Sequence, residues 1–505
     1  AWRRARPPRL LRASCLAAVA AAAAACAAWT AAGEVHAFVP PQAPRRDAVA
    51  ARVPKAAVPG SADALEQPEM QVTCDDEVEC VLEPCPPEGC RSRLPVRIDD
   101  VWYDLGAWRE RHPGGEQFID YYDGRDATEV MHAFHGEKAR AMFRRLPKVG
   151  QAEAEELDRG VSPVSDTTRQ FRALRERLER EGWWERDMWH EARLLGIWAL
   201  LFFGGLALAH LPGWAACLAV LPLALATTQG GWLGHDYIHG VDSFSENLRL
   251  FGPLTTGLSP TWWSDKHNKH HAMTNQMGAD EDIATAPLLY VWAPHPEDDS
   301  PARPFQHYLW PLPFMSLFLL WRYASLVEAV QAVQRGRPHA ERELLALVVH
   351  WAVILANVPL PIIPVFILLS GLISATIVTA THQSEDLFEE FQDDWVSSQF
   401  RSTRDAVTRT AFTEWLWGGM QYQLEHHLFP SMPRSRYPKL AAVLKRFAEE
   451  NRVPGGYRVS DELDLLARNW ETYRDVAVGA PGGHESPRVR DVTLVTGVGY
   501  QFARK

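Results

Sequence analysis

The chain has 505 residues, a formal net charge of −11 and a slightly negative mean hydropathy. That length allows two or three folded units, the acidic balance gives no reason to expect a nucleic-acid partner, and seven cysteines are too few for a disulfide scaffold. The averages conceal an uneven distribution of apolar residues, and local windows decide membrane insertion.

In chain order, residues 1–12 hold five arginines and no acid, ahead of an Ala-rich apolar run from Leu16 to Ala32. A positive start, an apolar middle and small residues after it mark a secretory signal. His36-Ala37-Phe38-Val39-Pro40 then opens a basic, Ala/Pro-rich stretch to Gly60 with transit-peptide composition. A signal followed by Ala-Phe-x-Pro resembles the two-part presequence of proteins sent to complex plastids. An ordinary signal anchor is the alternative, so the expected address is an endoplasmic reticulum or plastid membrane. Residues 1–92 are read as presequence and linker. Within them Cys74, Cys80, Cys85 and Cys90 lack the paired C-x2-C rhythm of zinc ribbons and read as linker.

Residues 93–152 carry His112-Pro113-Gly114-Gly115 and, downstream, Ala133-Phe134-His135-Gly136. Two such histidines at helix-turns can close on one iron from opposite faces. Glycines after the first let backbone approach a porphyrin without a side chain in the way. Two imidazoles leave iron no open position, so the haem would carry electrons rather than bind oxygen. The stretch resembles the cytochrome b5 family, a small α+β fold, which implies haem b with His112 and His135 as axial ligands. One departure is Met131, where the family often has Phe. The neighbouring His132 is passed over because the Ala-Phe-His-Gly context selects His135.

Residues 153–192 are polar and charged, with Arg and Glu alternating at helical spacing from Thr168 to Glu181. This predicts a solvated helix in a connector, and tethering raises the effective concentration of a donor at its acceptor.

Residues 193–440 hold the apolar runs. Leu194–Leu211 and Trp214–Gly234 flank Pro212-Gly213, and Leu344–Val358 and Ile362–Ala380 flank Pro359, Pro361 and Pro364. Each pair reads as a membrane hairpin. Tyr308–Trp321 is short and Pro-interrupted and is left as spanning or interfacial. The fold expected is an all-α bundle of about four spans, with residues 441–505 as a soluble extension.

Three histidine clusters accompany these runs: His235 and His239; His267, His270 and His271; and Gln423, His426 and His427. On a helix, positions i, i+3 and i+4 share one face, so each cluster presents two or three ligating groups together. Seven imidazoles exceed what one zinc uses and suit two metals. Imidazole alone does not choose the metal; iron is chosen because oxygen chemistry needs a redox metal and a haem donor lies on the same chain.

With Gly231-Trp232-Leu233-Gly234-His235-Asp236, Trp262-Trp263 and Gly418-Gly419 around the clusters, residues 231–433 resemble the membrane fatty acid desaturases. The haem segment and Gln423 point to their front-end acyl type. The resemblance implies a di-iron centre on His235, His239, His267, His270, His271, His426 and His427, with O2 as co-substrate. It implies a further ligand from just after the last span, where His382 stands, while Gln423 either ligates or orients a ligand. It also implies membrane lipid around the bundle, a fatty acyl lipid or acyl thioester as substrate, and a cytochrome b5 reductase or equivalent donor. Trp262, Trp263, Trp415, Trp417 and Tyr422 either line an acyl tunnel or anchor the interface. A sphingolipid long-chain-base desaturase, a fatty acyl hydroxylase and a membrane haem carrier are the alternatives.

Overall fold

The computed structural model describes residues 93–479 and, in a separate preceding unit, the backbone of two strands, Met70–Cys74 and Cys80–Pro84. These pair antiparallel, Met70 opposite Pro84 and Cys74 opposite Cys80. The presequence, Cys85 and Cys90 fall outside the described residues, as do residues 480–505.

The strand Pro95–Ile98 lies between Val101–Asp104, antiparallel, and Arg125–Asp126, parallel. Its alternate residues Val96 and Ile98 point inward with Trp102, and Tyr103 meets the ring of Phe143 edge-on at 5.4 Å. This small sheet and the helices around it hold His112 and His135. His112 follows a 3-10 turn, Arg109–Arg111, and His135 ends the helix Thr128–Phe134. The intervening turn depends on Gly115, whose φ of +100° disfavours any side chain.

Ser165 accepts a hydrogen bond from the Thr168 amide and starts the helix Asp166–Arg180. One face of it is covered rather than solvated, because Phe171, Leu174 and Leu178 recur at i, i+3 and i+7 and are buried. Phe171 packs on Phe429 and Phe447, while Arg172 reaches Glu129 at 2.6 Å and Glu179 pairs with Arg140 at 2.9 Å. The connector therefore touches both the haem-type unit and the histidine-box region.

Among the described residues, three helices are long and apolar enough to span a membrane: Met188–Ala209, Gly213–His239 and Ile362–Ala380. The first two meet at the expected Pro212-Gly213 turn. The expected fourth, Ala340–Asn357, falls short because its first turn carries Glu341, Arg342 and Glu343. Glu343 is buried, accepting hydrogen bonds from the hydroxyls of Ser259 and Thr261 at the start of the second histidine helix. The Tyr308–Trp321 run continues past Trp321 as the helix Pro311–Gln334, with Pro311 and Pro313 in its first turn, where no amide bond is lost.

The core between these helices is built from Leu223, Trp262, Phe318, Trp321 and Phe366. Pro311–Gln334 crosses Ile362–Ala380 at Gly371, where an added Cβ would lie 2.6 Å from the Met315 carbonyl oxygen and 3.0 Å from that of Phe314. Small residues allow such close approach in lipid, where packing rather than hydrophobicity joins helices. The last helix, Glu462–Val478, folds back so that Tyr473 packs with Phe314 and Ala375. Gly371→Leu is expected to destabilise the bundle by about 1–3 kcal/mol, read as a lower unfolding midpoint of purified protein in detergent. Gly371→Ala should cost less; an unchanged midpoint for the leucine variant would argue against a backbone-close crossing.

Candidate metal centre

Each histidine cluster is placed by a local feature of sequence. His235 and His239 lie one turn apart at the end of the spanning helix Gly213–His239. His267, His270 and His271 sit on Pro260–Ala272, which is capped by Ser259 and begins with Pro260. Gln423, His426 and His427 lie on the short helix Gln423–Leu428. Its approach turns at Gly418, in the left-handed region at φ +59°, where a Cβ would collide with the Trp232 ring. His382 lies in the turn directly after Ile362–Ala380.

These elements bring eight histidines together, all buried. Ligand atoms of His235, His239, His267, His271 and His426 lie within 4.8 Å of one another, and those of His270, His382 and His427 form a second such group. The groups adjoin: the His271 and His427 rings stack at 4.2 Å and those of His270 and His271 are 5.8 Å apart. The Gln423 amide nitrogen is 2.8 Å from His382 Nε2, which places this side chain in the second group.

An outer ring of acceptors sets the tautomers. His270 Nδ1 donates to the Asp280 carboxylate at 2.8 Å, His427 Nδ1 to Gln399 Oε1 at 2.9 Å and His382 Nδ1 to the Ser402 carbonyl at 3.0 Å. Such oxygens can only accept, so each of these rings carries its lone pair on Nε2. His235 Nδ1 lies 3.4 Å from Asp236, itself ion-paired with Arg434, and His426 Nδ1 is 3.2 Å from the Tyr437 hydroxyl. The Nε2 atoms of His239, His426 and His427 and Oε1 of Gln423 are buried without a hydrogen-bond partner. Burial holds the His267, His271, His426 and His427 imidazoles neutral, far below their usual pKa, and takes His382 down to about 3. Converging lone pairs on neutral rings, left unsatisfied by protein, are the donor set of a bound cation. Five and three imidazoles, with Gln423 beside the three, fit a pair of ions better than one.

Sequence reasoning did not find Asp280, Gln399, Ser402 or Tyr437. Only Asp280 left a trace, in the acidic Asp280-Glu281-Asp282 run that begins ten residues after His270.

A cavity of about 170 Å³ abuts the centre, reaching His235, His267, His270 and His382 and running between apolar side chains such as Trp262, Phe318 and Trp321. Trp262 and Trp263 line it. Trp415, Trp417 and Tyr422 do not: Trp417 is packed in a separate core with Trp232, the Trp415 carbonyl accepts from Gln229, and the Tyr422 hydroxyl faces Glu414.

In the smaller unit, His112 and His135 face each other with ring centroids 6.0 Å apart. Their Nδ1 atoms donate to the carbonyls of Gly115 at 2.8 Å and Met131 at 3.0 Å, so both Nε2 atoms carry lone pairs. Burial lowers both, His135 to about 4. Metal–imidazole bonds of about 2 Å on either side of one iron require nearly this ring separation. Gly114 keeps the cradle open, since a Cβ there would lie 2.9 Å from His112 Cε1. His132 is turned away and bonded to Asp99 at 2.7 Å.

A helical membrane bundle enclosing a polyhistidine centre beside an apolar cavity, joined to a bis-histidine cradle, defines a membrane oxidoreductase of lipid chains. Comparison with known proteins gives the family. Residues 212–457 match the model of the fatty acid desaturases, and residues 91–153 that of the cytochrome b5-like heme/steroid binding domain. The chain is 30% identical to the Delta(6)-fatty-acid desaturase fat-3 of Caenorhabditis elegans over 76% of its length and 97% of the relative. It is 26% identical to the Delta(8)-fatty-acid desaturase of Euglena gracilis, over 77% and 97%, and 28% identical to the acyl-lipid 8-desaturase of Rebecca salina, over 72% and 88%. The chain belongs to the fatty acid desaturase family, in the front-end group that carries a cytochrome b5 domain. It is an integral membrane enzyme that desaturates fatty acyl chains.

Asp280→Asn keeps the size of the side chain but removes the charge that holds His270. It is expected to weaken metal retention roughly 10–100-fold, seen as lower metal content after graded chelator treatment of purified protein. Native retention would show that Asp280 does not support the centre.

Proposed function

We propose that the chain inserts a double bond on the carboxyl side of an existing one in a lipid-linked acyl chain, using two non-haem irons and one haem b. The observation that carries this reading is the apolar cavity ending on two adjoining groups of inward-facing imidazoles. The names of the relatives support the regiochemistry, since they are Delta(6), Delta(8) and Delta(5) enzymes. Two others are named as acyl-lipid enzymes, which supports a lipid carrier over a thioester.

In this reading His235, His239, His267, His271 and His426 hold one iron, and His270, His382 and His427 with Gln423 hold the other. His112 and His135 hold the haem. The bound irons supply the O2-dependent oxidation, which removes two hydrogens from adjacent carbons while two electrons and two protons complete the reduction of O2 to two waters. The protein's own part is placement. Asp280, Gln399 and the Ser402 carbonyl keep Nε2 lone pairs aimed inward. Trp262, Phe318 and Trp321 hold the acyl chain and keep water out, so that one carbon–carbon bond is fixed beside the centre.

The electrons enter through the haem domain, assigned to residues 93–152, from a cytochrome b5 reductase or an equivalent donor. The connector 153–192 links it to the desaturase domain 193–440, and residues 441–505 are assigned as a soluble extension. The basic Ala/Pro-rich presequence supports a plastid membrane, with the endoplasmic reticulum as the other address.

Expression in yeast fed defined polyunsaturated fatty acids tests the reaction. New double bonds on the carboxyl side of an existing one, located by mass spectrometry, are expected; hydroxylated products would overturn it. His267→Ala should abolish product and keep the haem spectrum. His112→Ala should lose the low-spin haem spectrum, and its retention would refute the axial assignment.

A further inference from the structure

The haem cradle and the histidine centre come within one side chain of each other. Phe134 ends the helix Thr128–Phe134 and is followed directly by His135. Its ring lies 5.9 Å from that of His271, edge-on, and 6.3 Å from that of His239, with planes 29° apart. His239 and His271 both belong to the five-histidine group, and their own rings are 4.8 Å apart. Phe134 thus stands against two residues of one centre while its backbone continues into a residue of the other.

The placement is held by contacts that do not involve Phe134. The Gln117 amide bonds the Asp265 carboxylate, and the Tyr122 hydroxyl reaches the Ala272 carbonyl at 3.3 Å. The Arg125 guanidinium lies 3.9 Å over the Phe391 ring. At Gly136 the fit is close, since a Cβ there would lie 3.1 Å from Val241 Cβ. Because Asp265 and Ala272 are on the second histidine helix, docking is registered to that helix itself.

We propose that Phe134 is the coupling residue through which electrons pass from the haem to the iron pair; the inference rests on the ligand assignments above. Electron transfer through protein falls steeply with gaps between bonded paths, and an aromatic ring in contact with the acceptor's ligands shortens the one gap in this path. Each event moves one electron: ferrous haem becomes ferric and one ferric ion of the pair becomes ferrous, with no bond made or broken. Two events reduce the pair. Leu keeps a bulky apolar side chain without a ring and Tyr keeps the ring, so a slow transfer in Leu alone, with haem spectrum, haem potential and iron content unchanged, marks the ring rather than the packing.

The test uses full-length protein loaded with haem and iron, its haem and both irons reduced under nitrogen by excess dithionite that is then removed, so that O2 and substrate return the pair to ferric and the ferrous haem then donates to it. It is then mixed with air-saturated buffer containing substrate lipid, while loss of the ferrous haem band is followed. Iron-free protein gives the background of direct haem oxidation. Phe134→Leu should keep the haem spectrum, haem potential and iron content yet slow the iron-dependent phase about tenfold or more, the scale of changes just outside a metal's ligands. Phe134→Tyr should restore nearly the native rate. A native rate in Phe134→Leu, or an equally slow Phe134→Tyr, would overturn the proposal. If Phe134→Leu fails to bind haem, Val241→Trp decides, because it lies outside the haem domain and pushes Gly136 away. A slowed phase with intact haem and iron then supports the contact, and a native rate overturns it. Loss of haem in His135→Ala or of iron in His239→Ala reports on the ligand assignments separately; either metal retained would refute those assignments instead.

Discussion

Eight imidazoles packed into one buried volume pose an electrostatic problem that governs the rest of the molecule. Protonating them is costly, because each would place a desolvated cation beside others, and burial accordingly drives the His267, His271, His426 and His427 rings far below their ordinary pKa. Leaving them neutral strands lone pairs that no protein donor meets, as at His239, His426 and His427. A cation from outside resolves both conditions at once. The fold is then required to deliver four chain segments, far apart in sequence, to one place with their Nε2 atoms inward. The ring of Asp280, Gln399, Ser402 and Tyr437 does this by occupying the other nitrogen.

The haem-type unit obeys the same rule with simpler means. There the acceptors are backbone carbonyls, from Gly115 and Met131, so the tautomer is set by the turn and the helix end rather than by distant side chains. The whole cradle is consequently local, spanning His112 to His135. The larger centre is the opposite case. Its second histidine helix begins where Glu343 caps it from another helix, and its third approaches through Gly418 against Trp232. Removing one distant partner there disturbs a ligand that has no sequence neighbour to hold it.

This difference explains what could be seen in the sequence. The three clusters and their helical faces were legible because i, i+3 and i+4 spacing is a property of one segment, and His382 was legible from its place after a span. Gln399, Ser402 and Tyr437 were not, since ordinary residues acquire their role only when the chain is folded. Leu344–Val358 reads as a span because it alone is apolar, whereas its helix starts at Ala340 and includes three charges in its first turn, which sets it apart from the three longer apolar helices. The helix runs beyond the apolar stretch ending at Trp321 for the converse reason: Arg322 and Glu328 lower the hydropathy without breaking the helix, and Arg322 is buried. Residue type alone leaves Trp415, Trp417 and Tyr422 open between tunnel and interface, and the fold uses Trp417 in the packing core near Trp232. Phe134 was visible only as part of a haem motif; its contact with His239 and His271 depends on docking between two domains.

The histidine centre and the apolar cavity beside it are products of the same helix crossings. Gly230, Gly231 and Gly234 lie along the helix that ends in His235 and His239, and all three border the cavity. At Gly234 an added Cβ would lie 3.1 Å from the Gly252 Cα, so the helix bearing the first two ligands is seated by backbone contact. On the opposite side, Gly371 lets Pro311–Gln334 approach closely, and that crossing positions Phe314 and Phe318 in the wall. Widening either crossing would move a wall and a ligand together. A wall side chain such as Phe314, whose ring meets Trp310 and Tyr473, instead alters the space in the cavity without touching a ligand ring. Regiochemistry in such a site is therefore separable from metal binding only through wall residues, and not through the glycines that set the helix spacing.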